Sequence, residues 1–489
     1  MTVRLASLFT TWADEQAIQF EDQWSTWGQI GSVHAALVEA LQARSIQTRS
    51  IQTRSTQTRS TADECAVSIV MRQRPASVAA ELAVLATGRT AILLTPLQPD
   101  AGLATDVIGA DAAVVIADPI DWARPGFVEA VESTGAFGFE INGRFELTIR
   151  VDRPESSAGQ ALDAAVTVMT SGTTGPPKRL AVAWETFVQL GGGPEGKTPR
   201  SGQGAVILSL PLTTLGGLLS MSRLVFGGRP MSMMERFDVH AWAALVKQHR
   251  PKVIGAPPPV ISMILDADIS PDHFEGVTAY MTSSAPVAPE LAAEFERRYG
   301  IPVLLGYGAT EFLNSVTGWT PELYERFGPT KLGSVGRALP GVQLQVVDGI
   351  LEVDPPQRAS GLPAGWLRTN DRARIDDDGF LWILGRADDV IIRGGFKVDL
   401  GAIESALLAN PVVREAFAIG LDDPRLGEVP AALVVAADPS DPPAEAALID
   451  WLRDRLKPYE IPTTIRVVEA IPRTTTLKRH RTAAQRLLR

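Results

Sequence analysis

The chain contains one cysteine, Cys65, in 489 residues, which excludes an internal disulfide framework and fits a reducing compartment. Histidine is nearly as scarce. His34, His240, His249, His273 and His480 are scattered without ligand spacing, so a protein-held zinc site is not expected, and no Ser/His/Asp or Cys/His constellation is visible. No uninterrupted apolar run reaches about 18 residues, so no membrane span is expected. Met1 to Thr11 contains no charged head followed by a long apolar core, so no leader is expected either. Concentrated positive charge is also missing: the net charge is -10, which argues against a nucleic-acid partner. It says little about a small anionic ligand, because local donors decide that. These absences together point to the cytoplasm.

What is present is ordinary in bulk, with 45% hydrophobic and 21% charged residues. The length exceeds the ~250–300 residues at which single cores stop growing, so two domains are expected. Short, mainly apolar, strand-like runs recur at 66–71, 90–94, 112–116, 164–169, 205–208, 252–254 and 303–305, of which 112–116 is wholly apolar. They alternate with helix-like spacing at 33–41 and 78–86, which predicts parallel-rich sheets covered by helices. Beyond Pro340 the pattern changes. The runs 342–347 and 350–353 flank Asp348-Gly349, a two-residue hairpin signal, so a small antiparallel subdomain is expected there. The last hundred residues mix helix-like 400–408 and 444–455 with strand-like 416–420 and 431–436, as a small α+β domain does. Between residues 44 and 60 lies a tandem pentad, Ile46-Gln-Thr-Arg-Ser50, Ile51-Gln-Thr-Arg-Ser55 and Thr56-Gln-Thr-Arg-Ser60. Such units have almost nothing to bury, and a disordered insertion is expected.

The most informative string is Thr170-Ser171-Gly172-Thr173-Thr174-Gly175-Pro176-Pro177-Lys178, placed directly after an apolar run. Glycines let successive N–H groups converge on an anion, hydroxyls add donors, and lysine adds charge. The segment is not a Walker A loop, because two prolines separate Gly175 from Lys178. Composition alone does not distinguish it from an ordinary connection.

The full string resembles the phosphate-binding signature of the adenylate-forming superfamily of acyl-CoA synthetases, peptide-synthetase adenylation domains and luciferases. Gly306-Tyr307-Gly308-Ala309-Thr310-Glu311 is similar to that family's YGxTE motif, and Thr369-Asn370-Asp371 to its TGD motif. The segment from Gly385 to Gly395 resembles the GRxDDxI..GG hinge, and Pro472 to Lys478 the element carrying the family's lysine near the C-terminus. The resemblance spans the chain and implies a large N-terminal domain, 1–385, a hinge at 386–388 and a small mobile C-terminal domain, 389–489.

The resemblance implies activation of a small-molecule carboxylic acid by ATP with Mg2+, then transfer of the acyl group, most simply to CoA. Thr170 to Gly175 and Lys178 would grip the β- and γ-phosphates. Tyr307, between Gly306 and Gly308, would offer a face to adenine, Thr310 a hydroxyl near the α-phosphate, and Glu311 an oxygen ligand for magnesium. Asp371 is acceptor-only and suited to the ribose hydroxyls, and the resemblance implies that Arg386 contacts the ribose or phosphate. Ser284, Ala285 and Pro286 occupy the position of the family's GAP element beside adenine, with Ser283 where Gly is usual. Lys478 would neutralise charge at the substrate carboxylate and α-phosphate, although Leu477 replaces the common Gly. Asp388 would be the swivel that exchanges Lys478 for Gly394-Gly395, whose missing side chains suit a pantetheine channel. The resemblance also admits a homodimer.

The acid site implied by the resemblance is Pro211 to Gly217, with Thr213, Thr214, Gly216 and Gly217, together with Ala256 and, after Glu311, Asn314. No Asp stands in the first of these segments to hold an amino group, as it does in peptide-synthetase adenylation domains. Arg223 and Lys331 to Arg337 are similar to o-succinylbenzoate:CoA ligases. Three alternatives to a CoA ligase of uncharged aryl or aliphatic acids stay open: that particular ligase, an adenylating enzyme with a carrier-protein or amine acceptor, and a non-catalytic nucleotide-binding scaffold.

Overall fold

The computed structural model describes residues 2–43, 65–152, 162, 164–170, 178–193, 195–198, 204–359, 361–387, 389–474 and 478–489. The pentad insertion lies outside these. The chain divides into two compact units, one comprising Met1–Leu304, Gly308–Ser315 and Gln357–Leu362, the other Leu305–Tyr307, Val316–Pro356 and Pro363–Arg489. The antiparallel segment that follows Pro340 therefore groups with the C-terminal residues.

The first unit is built on a seven-stranded sheet in the order Leu147–Val151, Phe137–Ile141, Val114–Ala117, Val67–Val70, Ala91–Leu94, Val166–Thr170, Lys178–Val182. The five central strands run parallel and the two edge strands antiparallel. VSIV, AILL and VVIA are buried along their whole length because helices cover both faces. Alternate side chains serve two cores. Val67, Ile69, Leu93 and Val114 face one apolar cluster, while Val70, Ile92, Leu94 and Val115 face the other. Pro75–Ala86 begins with proline at its first position, where the missing N–H costs nothing. Within it, Glu81 is wholly buried, and neither carboxylate oxygen has a hydrogen-bond partner. Burial pushes its carboxyl up to about 8.

The second unit has a four-stranded antiparallel meander, Gln343–Val347, Ile350–Asp354, Leu367–Ile375 and Leu381–Arg386. Its first turn is Asp348-Gly349 with φ of 53° and 76°, the conformation a two-residue hairpin needs. A further sheet contains Phe396–Asp399, Val390–Arg393, Gly427–Ala436 and Val413–Asp423, with Thr464–Val467 parallel to Gly427–Ala436. Helices Leu400–Leu408 and Glu445–Arg453 cover one face, contributing Ile403, Leu407, Leu448 and Leu452. Arg481–Leu488 covers the other through Ala484 and Leu488.

Candidate functional site

The strand Val166–Thr170 turns back antiparallel on Lys178–Val182, and the last pair of that ladder is Thr170 with Lys178. The intervening phosphate-loop residues Ser171, Gly172, Thr173, Thr174 and Gly175 lie outside the described residues.

In the second unit three of the expected nucleotide residues come together. The Tyr307 hydroxyl donates a hydrogen bond to the Asp371 carboxylate. Burial and the adjoining negative charge of Asp371 both hold the Tyr307 phenol well above its ordinary pKa. Arg386 stands directly opposite Asp371 in the meander ladder, its Nη1 3.8 Å from Oδ1. Asp371 is fixed through its backbone: its N–H donates to Thr369 Oγ1 at 3.0 Å, and that hydroxyl donates to the Leu351 carbonyl at 2.9 Å. The Tyr307 N–H donates to Thr317 Oγ1 at 3.2 Å. Asn370, where the family has glycine, lies in extended strand with no positive φ, and its carbonyl accepts the Ala387 N–H at 2.7 Å. A left-handed conformation is not needed there.

The first unit holds Gly308, Thr310, Glu311 and Ser284 to Pro286. A Cβ at Gly308 would lie 2.5 Å from the Asn314 carbonyl oxygen and 2.8 Å from Ser315 Cα, so only glycine fits. Thr310–Phe312 form a single 3-10 turn that leaves Glu311 exposed, while its carbonyl accepts the Ala359 N–H at 2.9 Å. Leu313 then takes φ 56° while fully buried, and Asn314 is exposed. Strand Ala279–Thr282 delivers Ser284, Ala285 and Pro286 to the surface. The left-handed residue of this element is Ser284, at φ 79°, and not Ser283. The substitution of glycine at 283 therefore carries no backbone strain, whereas Ser284 holds about 1–2 kcal/mol.

The expected acid segment is tightly made. Thr214 caps helix Leu215–Gly227 by accepting the Gly217 N–H at 3.2 Å, and its hydroxyl donates to the Pro211 carbonyl at 2.7 Å. Gly216 and Gly217 permit this packing: a Cβ on either would lie 2.2 Å from Leu210 Cδ1 or 2.4 Å from the Pro211 oxygen. Thr213 is half-buried. Ala256 is buried, and the Pro257 carbonyl beside it accepts from the Tyr280 hydroxyl at 3.4 Å. Arg223 is exposed on the helix, and Lys331 is ion-paired with Asp376 at 2.5 Å and Asp378 at 2.7 Å. Lys331 is thus engaged in folding the meander.

Gly394 and Gly395 form the two-residue turn between Val390–Arg393 and Phe396–Asp399, with φ of 55° and 91°, and both are exposed. Lys478 is exposed, and its carbonyl accepts the Thr474 N–H at 2.7 Å. Arg473 and Arg479 on either side pair with Glu415 at 2.5 Å and Glu404 at 2.8 Å. Leu477 and the swivel candidate Asp388 lie outside the described residues. Two side chains that sequence reasoning missed span position 388: Arg372, next to Asp371, pairs with Asp399 at 2.6 Å, and Asp399 also caps helix Leu400–Leu408. Nothing in the spacing marks them as partners.

Among the described residues there is no group of three or more His, Cys, Asp or Glu side chains able to hold a metal by themselves. No helix among them is long and apolar enough to cross a membrane. The donor set suits a metal brought in with a nucleotide, since an exposed carboxylate such as Glu311 would offer one hard oxygen and the phosphates would offer others.

The fold and these side chains define an adenylate-forming enzyme. The chain belongs to the AMP-binding enzyme family, whose model matches residues 10–361, and the AMP-binding enzyme C-terminal domain matches residues 402–478. A 2-succinylbenzoate--CoA ligase of Bacillus pumilus is 29% identical over 344 residues, 65% of this chain and 69% of that protein. The o-succinylbenzoate CoA synthetase of Bacillus subtilis, solved with its acyl-adenylate intermediate, superposes with a TM-score of 0.74 at 24% identity, covering 99% of this chain and 97% of its own. The amide bond synthetase McbA of Marinactinospora thermotolerans superposes at 0.76 with 22% identity and complete coverage of both chains.

Proposed function

We propose that this chain is an AMP-forming acid–thiol ligase, which converts a carboxylic acid and ATP into an acyl-adenylate and passes the acyl group to CoA. The observation that carries the reading is the Asp371 carboxylate, held opposite Arg386 and hydrogen-bonded by Tyr307. A fixed carboxylate beside an aromatic ring and a guanidinium recognises a ribose diol, a base and a phosphate at once. Glu311 would hold the Mg2+ that accompanies ATP, and the ion's chemistry is charge neutralisation on the phosphates. Thr310 and the loop bounded by Thr170 and Lys178 orient those phosphates. Ser284 to Pro286 line the base, and Thr213, Thr214, Gly216, Gly217, Ala256 and Asn314 shape the acid site.

Catalysis in such a displacement is mainly positioning and electrostatic stabilisation. Lys478 supplies the charge for the first half-reaction. The C-terminal segment from 389 turns about Asp388 to present Gly394-Gly395 for the second. The preferred acid is an uncharged aryl or aliphatic one, and the exposed Arg223 leaves 2-succinylbenzoate as the dicarboxylate to compare. The reading places the enzyme in the cytoplasm and admits a homodimer. Pyrophosphate release with benzoate, anthranilate, hexanoate and 2-succinylbenzoate tests adenylation. Adding CoA, then an amine, separates the thiol acceptor from the amide-forming alternative that the exposed Phe396 and Lys397 beside the glycine turn keep in view. No pyrophosphate with any acid would leave the scaffold reading.

A further inference from the structure

We propose that Gln73 is a positioning residue for acid recognition, holding the turn that shapes the acid site from a loop 137 residues away in sequence. The inference rests on the reading that Pro211 to Gly217 line that site. The Gln73 carboxamide faces the turn with both of its polar atoms. Nε2 donates to the Leu210 carbonyl at 3.2 Å, and Oε1 accepts the Leu212 N–H at 2.9 Å. The side chain thus brackets Pro211 as a neighbouring strand would, satisfying two backbone groups on either side of it.

Gln73 is itself held by its neighbours. Arg72 makes a bidentate pair with the wholly buried Asp121, both contacts at 2.7 Å. Arg74 pairs with Asp118 and with Glu235, each at 2.9 Å. Pro75 then fixes the start of the following helix. Three consecutive side chains therefore tie this loop to three separate segments, and the middle one is the arm that reaches the acid-site turn. On the other side the turn cannot relax. Gly216 and Gly217 are packed against Leu210 and Pro211 without space for a methyl group, and the Trp242 indole N–H donates to Ser209 Oγ at 2.9 Å. Loss of the carboxamide leaves the Leu210 carbonyl and Leu212 N–H without these partners, so the turn carrying Thr213 is held from one side only.

The test is steady-state adenylation by Gln73→Leu, which keeps the side-chain volume and removes both polar atoms, with the best acid of the benzoate, anthranilate, hexanoate and 2-succinylbenzoate series. The KM for acid is expected to rise about tenfold, the equivalent of one net hydrogen bond, with the KM for ATP within about twofold of wild type. Gln73→Asn keeps both groups on a shorter arm and is expected to fall between. It also serves if Gln73→Leu does not fold. Equal rises in both KM values, or no change in the acid KM, would overturn the proposal. Thr213→Phe, measured in parallel, separates this from failure of the underlying reading: an altered acid preference there with none in Gln73→Leu rejects the role of Gln73 alone, whereas no change in either rejects the acid-site assignment.

Discussion

The Tyr307 hydroxyl and the Asp371 carboxylate, 64 positions apart, are hydrogen-bonded to each other. In the proposed enzyme the same carboxylate accepts the ribose hydroxyls, so the tyrosine is a resident donor that nucleotide replaces. Tyr307→Phe keeps the ring and releases Asp371, and the KM for ATP is expected to stay within about threefold of wild type. Asp371→Ala removes charge-assisted bonds of ~1.5–3 kcal/mol each and is expected to raise that KM by about two orders of magnitude. ATP/pyrophosphate exchange measures both, and equal losses would show that the phenol itself holds nucleotide.

Lys478→Ala is expected to lower adenylate formation by ~10²–10³, the usual cost of one electrostatic group aimed at developing charge. Arg473 and Arg479 hold the flanking chain through Glu415 and Glu404, so removal of the exposed Lys478 side chain should leave the fold intact. Turnover of supplied acyl-adenylate with CoA should be nearly unchanged. Wild-type pyrophosphate release in the variant would move the assignment to another lysine, such as Lys397.

Asp388→Pro fixes φ near -65° at the proposed swivel. The expected result is a preserved first half-reaction and a crippled second, measured as pyrophosphate burst against acyl-CoA formation. Equal loss of both steps would argue for a direct catalytic or folding role.

Glu81 sets a pH dependence of stability. Its carboxyl is raised from 4.5 to about 8 by burial, so the folded chain retains a proton that the unfolded chain releases between those values. Unfolding therefore becomes easier as pH rises through about 4.5 to 8, and the effect is complete above 8. Glu81→Gln should remove this slope, its advantage over wild type growing by roughly 1–4 kcal/mol between pH 5 and 8.5. Chemical denaturation at the two pH values checks it, and parallel curves for both proteins would sink it.

Local signals were legible wherever the residues that make an element sit next to one another. The Asp348-Gly349 turn formed with both φ values positive, and helix Leu400–Leu408 begins after Asp399, an N-cap whose carboxylate accepts the Gly401 N–H. The apolar runs became strands because two faces had to be covered. Val413–Asp423 and Gly427–Ala436 extend well past the apolar positions, since the backbone ladder continues through polar pairs such as Asp422 and Glu428. Helix Thr2–Thr10 has no acidic first turn to announce it. In the site, short motifs marked Tyr307, Asp371 and Arg386 one by one. Their meeting, and the reach of Gln73 to Leu212 across 139 residues, depend on tertiary register that no local pattern encodes.

The Arg372–Asp399 pair lies on either side of residue 388, one partner before it and one after. Any turning of the C-terminal segment about that residue must first separate the two charges. Both are partly open to water, so the attraction is modest, about 1 kcal/mol or less, and is screened by dissolved ions. If the C-terminal segment swings about Asp388 as proposed, the balance between the two half-reactions would be an electrolyte-sensitive quantity: added salt would favour whichever orientation lacks the pair, and the partition between stored adenylate and released thioester would drift with ionic strength even where neither active-site chemistry does.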